Sequence, residues 1–181
     1  MGVEEDTELD LVPLFSEREI AAVVERLARE LDGDYRQRAP VLVGILKGSF
    51  IFLADLVRRM KTPIHSIEFL RLSSYGSGTA SSGHARIVMG LPPEAVAGRD
   101  VVVVEDIVDT GITTAAAVRY LKRRRPASVA VCALLDKPSR RQVPVEVRYV
   151  GLKAPDRFVV GYGIDVDQKY RQLPQIYALP E

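Results

Sequence analysis

Ile20, Val23, Val24, Leu27 and Leu31 recur at the spacing of one helix face. Just ahead of them, Ser16-Glu-Arg-Glu19 reads as a capping box, in which the Ser16 hydroxyl accepts from a first-turn amide and Glu19 reaches back to the Ser16 amide. A helix is therefore expected from Ser16, stopped by Gly33. The pattern changes at Pro40–Leu46, PVLVGIL, an unbroken apolar run too short for a helix and bounded by Pro40 and Lys47-Gly48-Ser49. It predicts a buried strand. Phe50 to Met60 returns to helical spacing and ends in Arg58 and Arg59, cations that suit the negative end of a helix dipole. Strand, loop and helix in that order predict a parallel sheet with crossover helices.

The alternation continues. Ile64–Leu72 reads as a strand and His84–Gly90 as its hairpin partner, across the Gly/Ser-rich stretch Ser73–Gly83. Val101–Glu105, VVVVE, shows no in-out alternation, which means burial on both faces and predicts the central strand. A helix is expected over Thr113–Arg124 and a buried strand over Ser128–Leu135, with shorter strands at Glu146–Leu152 and Phe158–Tyr162. The chain is thus expected to be an α/β domain around an open, mostly parallel twisted sheet flanked by helices. In such sheets ligands bind beyond the carboxyl ends of the strands, so the chemistry is sought there.

Composition narrows the classes. The 181 residues carry 25 Lys and Arg against 24 Asp and Glu, a net charge of +1, with 47% hydrophobic and 27% charged residues. One globular domain follows, and the charge balance argues against a nucleic-acid binder. The basic run Lys122–Arg125 reads as a solvated helix end before Pro126 rather than an RNA site. The one cysteine, Cys132, allows no internal disulfide, which fits a reducing compartment. The acidic start MGVEEDTELD lacks the form of a secretory signal, and no apolar run approaches the roughly 20 residues that cross a bilayer. A cytoplasmic protein without a membrane partner is expected.

Beyond VVVVE come Asp106-Ile-Val-Asp109-Thr110-Gly111-Ile112-Thr113-Thr114. A helix N-terminus with free amides, a Gly that allows close approach and a set of hydroxyls together form a phosphate cradle. Glu105 and Asp106 would repel a phosphate directly, but carboxylates suit vicinal hydroxyls and a divalent cation. A phosphorylated ribose satisfies both halves. Standing alone, Asp109-Thr-Gly is equally explained by a helix cap. The other phosphate and nucleophile motifs are absent, and His65 and His84 read as surface or packing residues.

Val101–Thr114 resembles the phosphoribosyl-pyrophosphate signature of the type I phosphoribosyltransferases. Leu46-Lys-Gly-Ser49, Leu72-Ser-Ser-Tyr-Gly76, Leu135-Asp-Lys-Pro-Ser-Arg140 and Phe158–Asp165 with Arg171 narrow the resemblance to the hypoxanthine-guanine branch, in family order over most of the chain. The resemblance implies a core of about 35–152 and a small hood from the terminal segments, about 1–34 and 153–181. It also implies magnesium-dependent transfer of ribose phosphate from phosphoribosyl pyrophosphate to hypoxanthine or guanine, with release of pyrophosphate.

Roles carried over on matching positions give Lys47, Gly48, Ser49 and Arg171 to the pyrophosphate, the triplet through its backbone amides. Glu105, Asp106, Asp109, Thr110, Gly111, Ile112 (through its amide) and Thr113 go to the ribose and its phosphate. Lys137 would donate to the six-position carbonyl of the base and so reject adenine, whose amino group faces it donor to donor. Phe158 would stack on the purine and Val159 offer it a backbone edge, with Asp165 near the two-position. Glu105, Asp106 and Asp165 are the candidate magnesium ligands, and Asp109 the candidate general base. Ser74 and Tyr75 match lid residues, in a segment too polar and Gly-rich to fold on itself. Homodimers or homotetramers are expected from the resemblance. The alternatives are a xanthine-preferring transferase, since Lys137 accepts any six-oxo base, and a nucleotide-sensing RNA-binding regulator on the same fold.

Overall fold

A computed structural model describes residues 10–74 and 85–180 of the chain. In order they form β1 (Val12–Phe15), α1 (Glu17–Asp34), β2 (Val41–Leu46), α2 (Phe50–Arg59), β3 (Ser66–Ser74), β4 (Ala85–Met89), β5 (Asp100–Val108), α3 (Ile112–Lys122), β6 (Ser128–Asp136), β7 (Tyr149–Lys153), β8 (Val159–Val160) and β9 (Ile176–Ala178). The main sheet has the order β4-β3-β2-β5-β6-β7. All of its pairings are parallel except β3 with β4. This is the expected open α/β sheet, with β2 and β5 at its middle. Residues of the two terminal segments form a separate antiparallel sheet, β1-β9-β8, in which Val12 pairs with Ala178.

The strands without alternation are buried on both faces. Val102 and Val104 pack in one core with Leu27 and Leu31 of α1 and Phe52 and Leu56 of α2. Val101 and Val103 pack in the other with Ala117 and Leu121 of α3. Each such Val or Leu removed from water contributes about 1.5–3 kcal/mol, so these layers fix which strands lie in the centre.

Local signals hold in part. The Ser16 hydroxyl accepts from the Glu19 amide at 3.3 Å and the Glu19 carboxylate accepts from the Ser16 amide at 2.8 Å, completing the capping box. Gly33 does not stop α1, which runs on to Asp34. Leu31 and Tyr35 on either side are buried and pin the last turn, and the Tyr35 amide donates to the Leu31 carbonyl at 2.9 Å. β5 continues past Glu105 to Val108, because Ile107 pairs with Leu135 and Val108 with Asp136 of β6. Asp106 therefore belongs to the strand, and the turn begins at Asp109. The basic run after α3 is only partly solvated, since the Arg124 guanidinium lies 3.4 Å from the Tyr120 ring centroid and donates to the Leu91 carbonyl.

At their carboxyl ends β2, β5 and β6 lead directly into Lys47–Ser49, Asp109–Gly111 and Lys137–Arg140. The parallel sheet thereby brings three sequence-distant loops to one edge.

Candidate active site

The loop after β2 is shaped by what lies against it. A Cβ on Gly48 would stand 1.7 Å from Asp106 Oδ2, and a Cβ on Gly163, whose φ is +97°, would stand 2.2 Å from the Gly48 carbonyl oxygen. Gly48 is thus wedged between the Asp106 carboxylate and the C-terminal loop. The Leu46–Lys47 peptide is cis. Lys47 donates through Nζ to Gln168 Oε1 at 2.9 Å. Ser49 faces inward: its hydroxyl donates to the Ile45 carbonyl at 2.7 Å and its amide reaches the same oxygen at 3.4 Å. Of the triplet expected to offer amides, Ser49 already spends its own within the chain.

The C-terminal loop carries Asp165 and Arg171 to the same place. Arg171 pairs with Asp165 at 2.7 Å and donates to the Gly163 carbonyl at 2.6 Å, while the Gln168 amide donates to the other Asp165 oxygen at 2.9 Å. Tyr162, at φ +51°, sends its hydroxyl to Asp55 of α2 at 2.5 Å, tying this loop to the helix that follows Ser49. Burial raises the Asp106 carboxyl to about 6, with Arg171 opposing and Asp165 adding to the rise. Glu105 is buried and accepts from the Thr114 hydroxyl at 3.1 Å. Burial and the Asp106 charge push its carboxyl well up. The site thus sets a buried Glu105 and a half-buried Asp106 side by side, both with their carboxyls raised.

The turn after β5 requires its glycine. Gly111 has φ +82°, and a Cβ there would stand 2.5 Å from the Val143 carbonyl oxygen. The amides of Gln142 and Val143 hold the Thr110 carbonyl at 2.9 and 3.0 Å, and the Thr110 hydroxyl accepts from the Ile112 amide at 3.4 Å. The Ile112 side chain is buried, so its exposed chemistry is the backbone alone. Thr113 is half-buried in the first turn of α3, where amides lack intrahelical acceptors.

On the far side of this turn, Lys137 is 2% exposed, and its ammonium donates to the Arg157 carbonyl. Burial lowers its pKa, opposed by the Asp109 charge. Arg140 Nε lies 3.3 Å from Asp109 Oδ1, which makes no hydrogen bond although it is buried. The Arg140 guanidinium also stands 5.7 Å from the Phe158 ring centroid. Phe158 itself is 60% exposed, unusual for a phenylalanine directly before the buried Val159 and Val160 of β8. The Phe158 carbonyl accepts from Leu179, and β8 pairs antiparallel with β9 through Val159↔Ala178. Bonded pairs alternate in such a ladder, so the Val159 N–H and C=O point to the free edge of β8.

The predicted residues therefore gather in two groups flanking the β5–α3 turn. Lys47, Gly48, Asp106, Asp165 and Arg171 lie on one side, and Asp109, Lys137 and Phe158 on the other. Ser74 ends β3, and Tyr75, with the rest of the expected lid, lies outside the described residues. Among the described residues no group of three or more His, Cys, Asp or Glu is placed to hold a metal ion. Glu105, Asp106 and Asp165 thus form no ready-made three-ligand cage. Sequence reasoning passed over Arg140, Gln168, Tyr162 and Asp55. Arg140 and Tyr162 stood inside the motifs, though their partners did not show there, whereas Gln168 and Asp55 act through contacts that no local pattern encodes. The arrangement offers anion-binding backbone, paired carboxylates, a buried cation and an open aromatic face.

A family model described as "Phosphoribosyl transferase domain" matches residues 14–167. A protein of Salmonella typhimurium named hypoxanthine phosphoribosyltransferase is 46% identical over 165 residues, covering 90% of this chain and 92% of that protein. The hypoxanthine-guanine phosphoribosyltransferase of Bacillus subtilis is 41% identical over 166 residues, covering 92% and 91%. A crystal structure of a Staphylococcus aureus hypoxanthine phosphoribosyltransferase superposes with a TM-score of 0.89 at 40% identity, covering 99% of this chain and 96% of that one. No helix among the described residues is long and apolar enough to cross a membrane.

Proposed function

Because the chain belongs to the phosphoribosyltransferase family, we propose that the two groups around its β5–α3 turn divide the work of one reaction between the ribose diphosphate end and the base. The chain is a purine-salvage transferase that joins hypoxanthine or guanine to the ribose of phosphoribosyl pyrophosphate. A ring nitrogen of the base bonds to the anomeric carbon as the bond to pyrophosphate breaks. The proton on that nitrogen leaves, and the pyrophosphate departs with the bonding electrons. Neither a xanthine preference nor an RNA-binding regulator finds support among the relatives.

The amides of Thr110, Gly111, Ile112 and Thr113 hold the 5′-phosphate, and Glu105 and Asp106 accept from the ribose hydroxyls. Lys47, Gly48 and Arg171 receive the pyrophosphate. Asp109 takes the proton from the base. Its Oδ1 makes no hydrogen bond but is ion-paired with Arg140 Nε at 3.3 Å, which fixes the carboxylate's place. Phe158 supplies the stacking face, and Val159 reads the base edge. Magnesium fits the donor set, because the carboxylates are hard oxygen ligands and burial leaves Asp106 in need of positive charge. Asp106 and Asp165 would hold it, with waters completing the shell and Glu105 left to its Thr114 hydrogen bond, and bound there it would neutralise charge growing on the pyrophosphate.

The observation that carries the base assignment is the buried Lys137 ammonium, held on the carbonyl of Arg157 next in the chain to the exposed Phe158. One of its N–H groups is held by Arg157, leaving donors for a six-oxo group. Competition among hypoxanthine, guanine, xanthine and adenine for one phosphoribosyl donor tests it. Hypoxanthine and guanine should be consumed and adenine hardly touched; efficient use of adenine would overturn the role of Lys137. The proposal includes a cytoplasmic location and assembly into homodimers or homotetramers, for which the exposed Ile67, Phe69, Val88 and Met89 of β3 and β4 offer an apolar surface. Sedimentation equilibrium reads the assembly directly.

A further inference from the structure

The connection from β6 to β7 departs from the pattern of the sheet. The two strands are parallel, yet residues 137–148 cross between them as a short 3-10 turn at Pro138–Arg140 and irregular chain instead of a covering helix. The α3 face of β6 is left partly bare, and a cavity of about 480 Å³ lies over it. That volume is within the roughly 300–1,000 Å³ of small-molecule sites.

The cavity has an apolar floor and a cationic rim. Val129 and Val131 come from β6, Ala115 and Val118 from α3, and Val143 and Val145 from the connection. Arg119 and Lys122, on the same face of α3, stand at the rim with Arg148, while Glu146 is the carboxylate among the lining residues. Arg148 is engaged by Asp34 at 2.7 Å. Arg119 and Lys122 have no ion-pair partner among the described residues and are exposed. The same walls reach the catalytic turn, since Val143 and Gln142 hold the Thr110 carbonyl and the Val143 carbonyl abuts Gly111.

We propose that this cavity is a second ligand site, separate from the phosphoribosyl and base sites, for a small amphipathic anion. An apolar ring lies against the valines, and a carboxylate, sulfonate or phosphate meets Arg119 and Lys122. An occupant touches the back of the turn that grips the ribose phosphate without entering the phosphate's own place.

Anilinonaphthalene sulfonate, an aromatic sulfonate whose fluorescence rises on apolar contact, is the probe. It is titrated into the whole protein with magnesium, with and without saturating GMP. One saturable site per chain, unmoved by GMP, is expected. The surface variant R119E/K122E should keep its transferase activity and weaken the probe by about tenfold, a change of about 1.4 kcal/mol. V118W, which fills the cavity from its half-exposed side, should abolish binding. Displacement by GMP, binding that does not saturate, no binding to the wild type, or equal binding to R119E/K122E would each overturn the proposal.

Discussion

Replacing Gly48 by Ala places a methyl group where the site has no room. The new Cβ would stand 1.7 Å from Asp106 Oδ2, 2.5 Å from its Cγ and 3.0 Å from Oδ1. Carbon–oxygen contacts settle near 3.5 Å, so something must move by well over an ångström. The loop cannot slide away toward Gly163, because the Gly48 carbonyl already rests against that residue. The Asp106 carboxylate must therefore turn out of its position near the end of β5, from which we propose that it accepts from the ribose. A misplacement of about 1 Å in a positioning group costs about 100-fold, or about 3 kcal/mol of transition-state stabilisation. The assay is steady-state kinetics in phosphoribosyl pyrophosphate at saturating hypoxanthine and magnesium, paired with urea unfolding to show that G48A is folded. A folded variant with kcat/KM for phosphoribosyl pyrophosphate within about twofold of the wild type would refute the steric reasoning.

Lys137→Met keeps the apolar stem in its buried slot and removes the ammonium. The kcat/KM for hypoxanthine should fall about 10- to 100-fold while that for adenine changes little, narrowing the preference; an unchanged ratio would contradict the donor role. Asp109→Asn should lower turnover by at least about 100-fold with little change in phosphoribosyl pyrophosphate binding by calorimetry, and wild-type turnover would remove Asp109 as the base. Burial raises Asp106 from 3.8 to about 6 in the folded chain. Between those values the folded protein keeps a proton that the unfolded chain has lost, so this contribution to stability is full below about pH 4 and vanishes as pH rises through 6. Without magnesium or substrate, the unfolding free energy of D106N relative to the wild type should therefore rise from pH 4 to pH 7, and a flat difference would contradict the burial.

The fold was legible where burial is two-sided or capping is local. VVVVE announced a strand packed on both faces, and Ser16–Glu19 announced a helix start, because each signal is complete within a few residues. Of the small sheet only β8 was legible, within the strand expected at Phe158–Tyr162. β1 and β9 are short, β1 contains Pro13, and each is held by a partner at the other end of the chain. The end of β5 was misjudged for a related reason: Asp106 reads locally as an exit from a strand, whereas the ladder to β6 carries the strand on to Val108. In the site, residue types and loops were visible, but the pairings were not. Arg140 with Asp109, Lys47 with Gln168 and Tyr162 with Asp55 join residues that only the folded sheet makes neighbours. Ser49 shows the converse, for its place in the motif was plain while its inward hydrogen bonds to Ile45 were not.

The most direct measurement is a crystal structure of the protein with bound GMP. The phosphate should sit on the amides of Thr110 to Thr113, with the ribose hydroxyls donating to Glu105 and Asp106 and the guanine between Phe158 and Lys137. A nucleotide whose phosphate lies elsewhere, or carboxylates at Glu105 and Asp106 turned away from the sugar, would contradict the account.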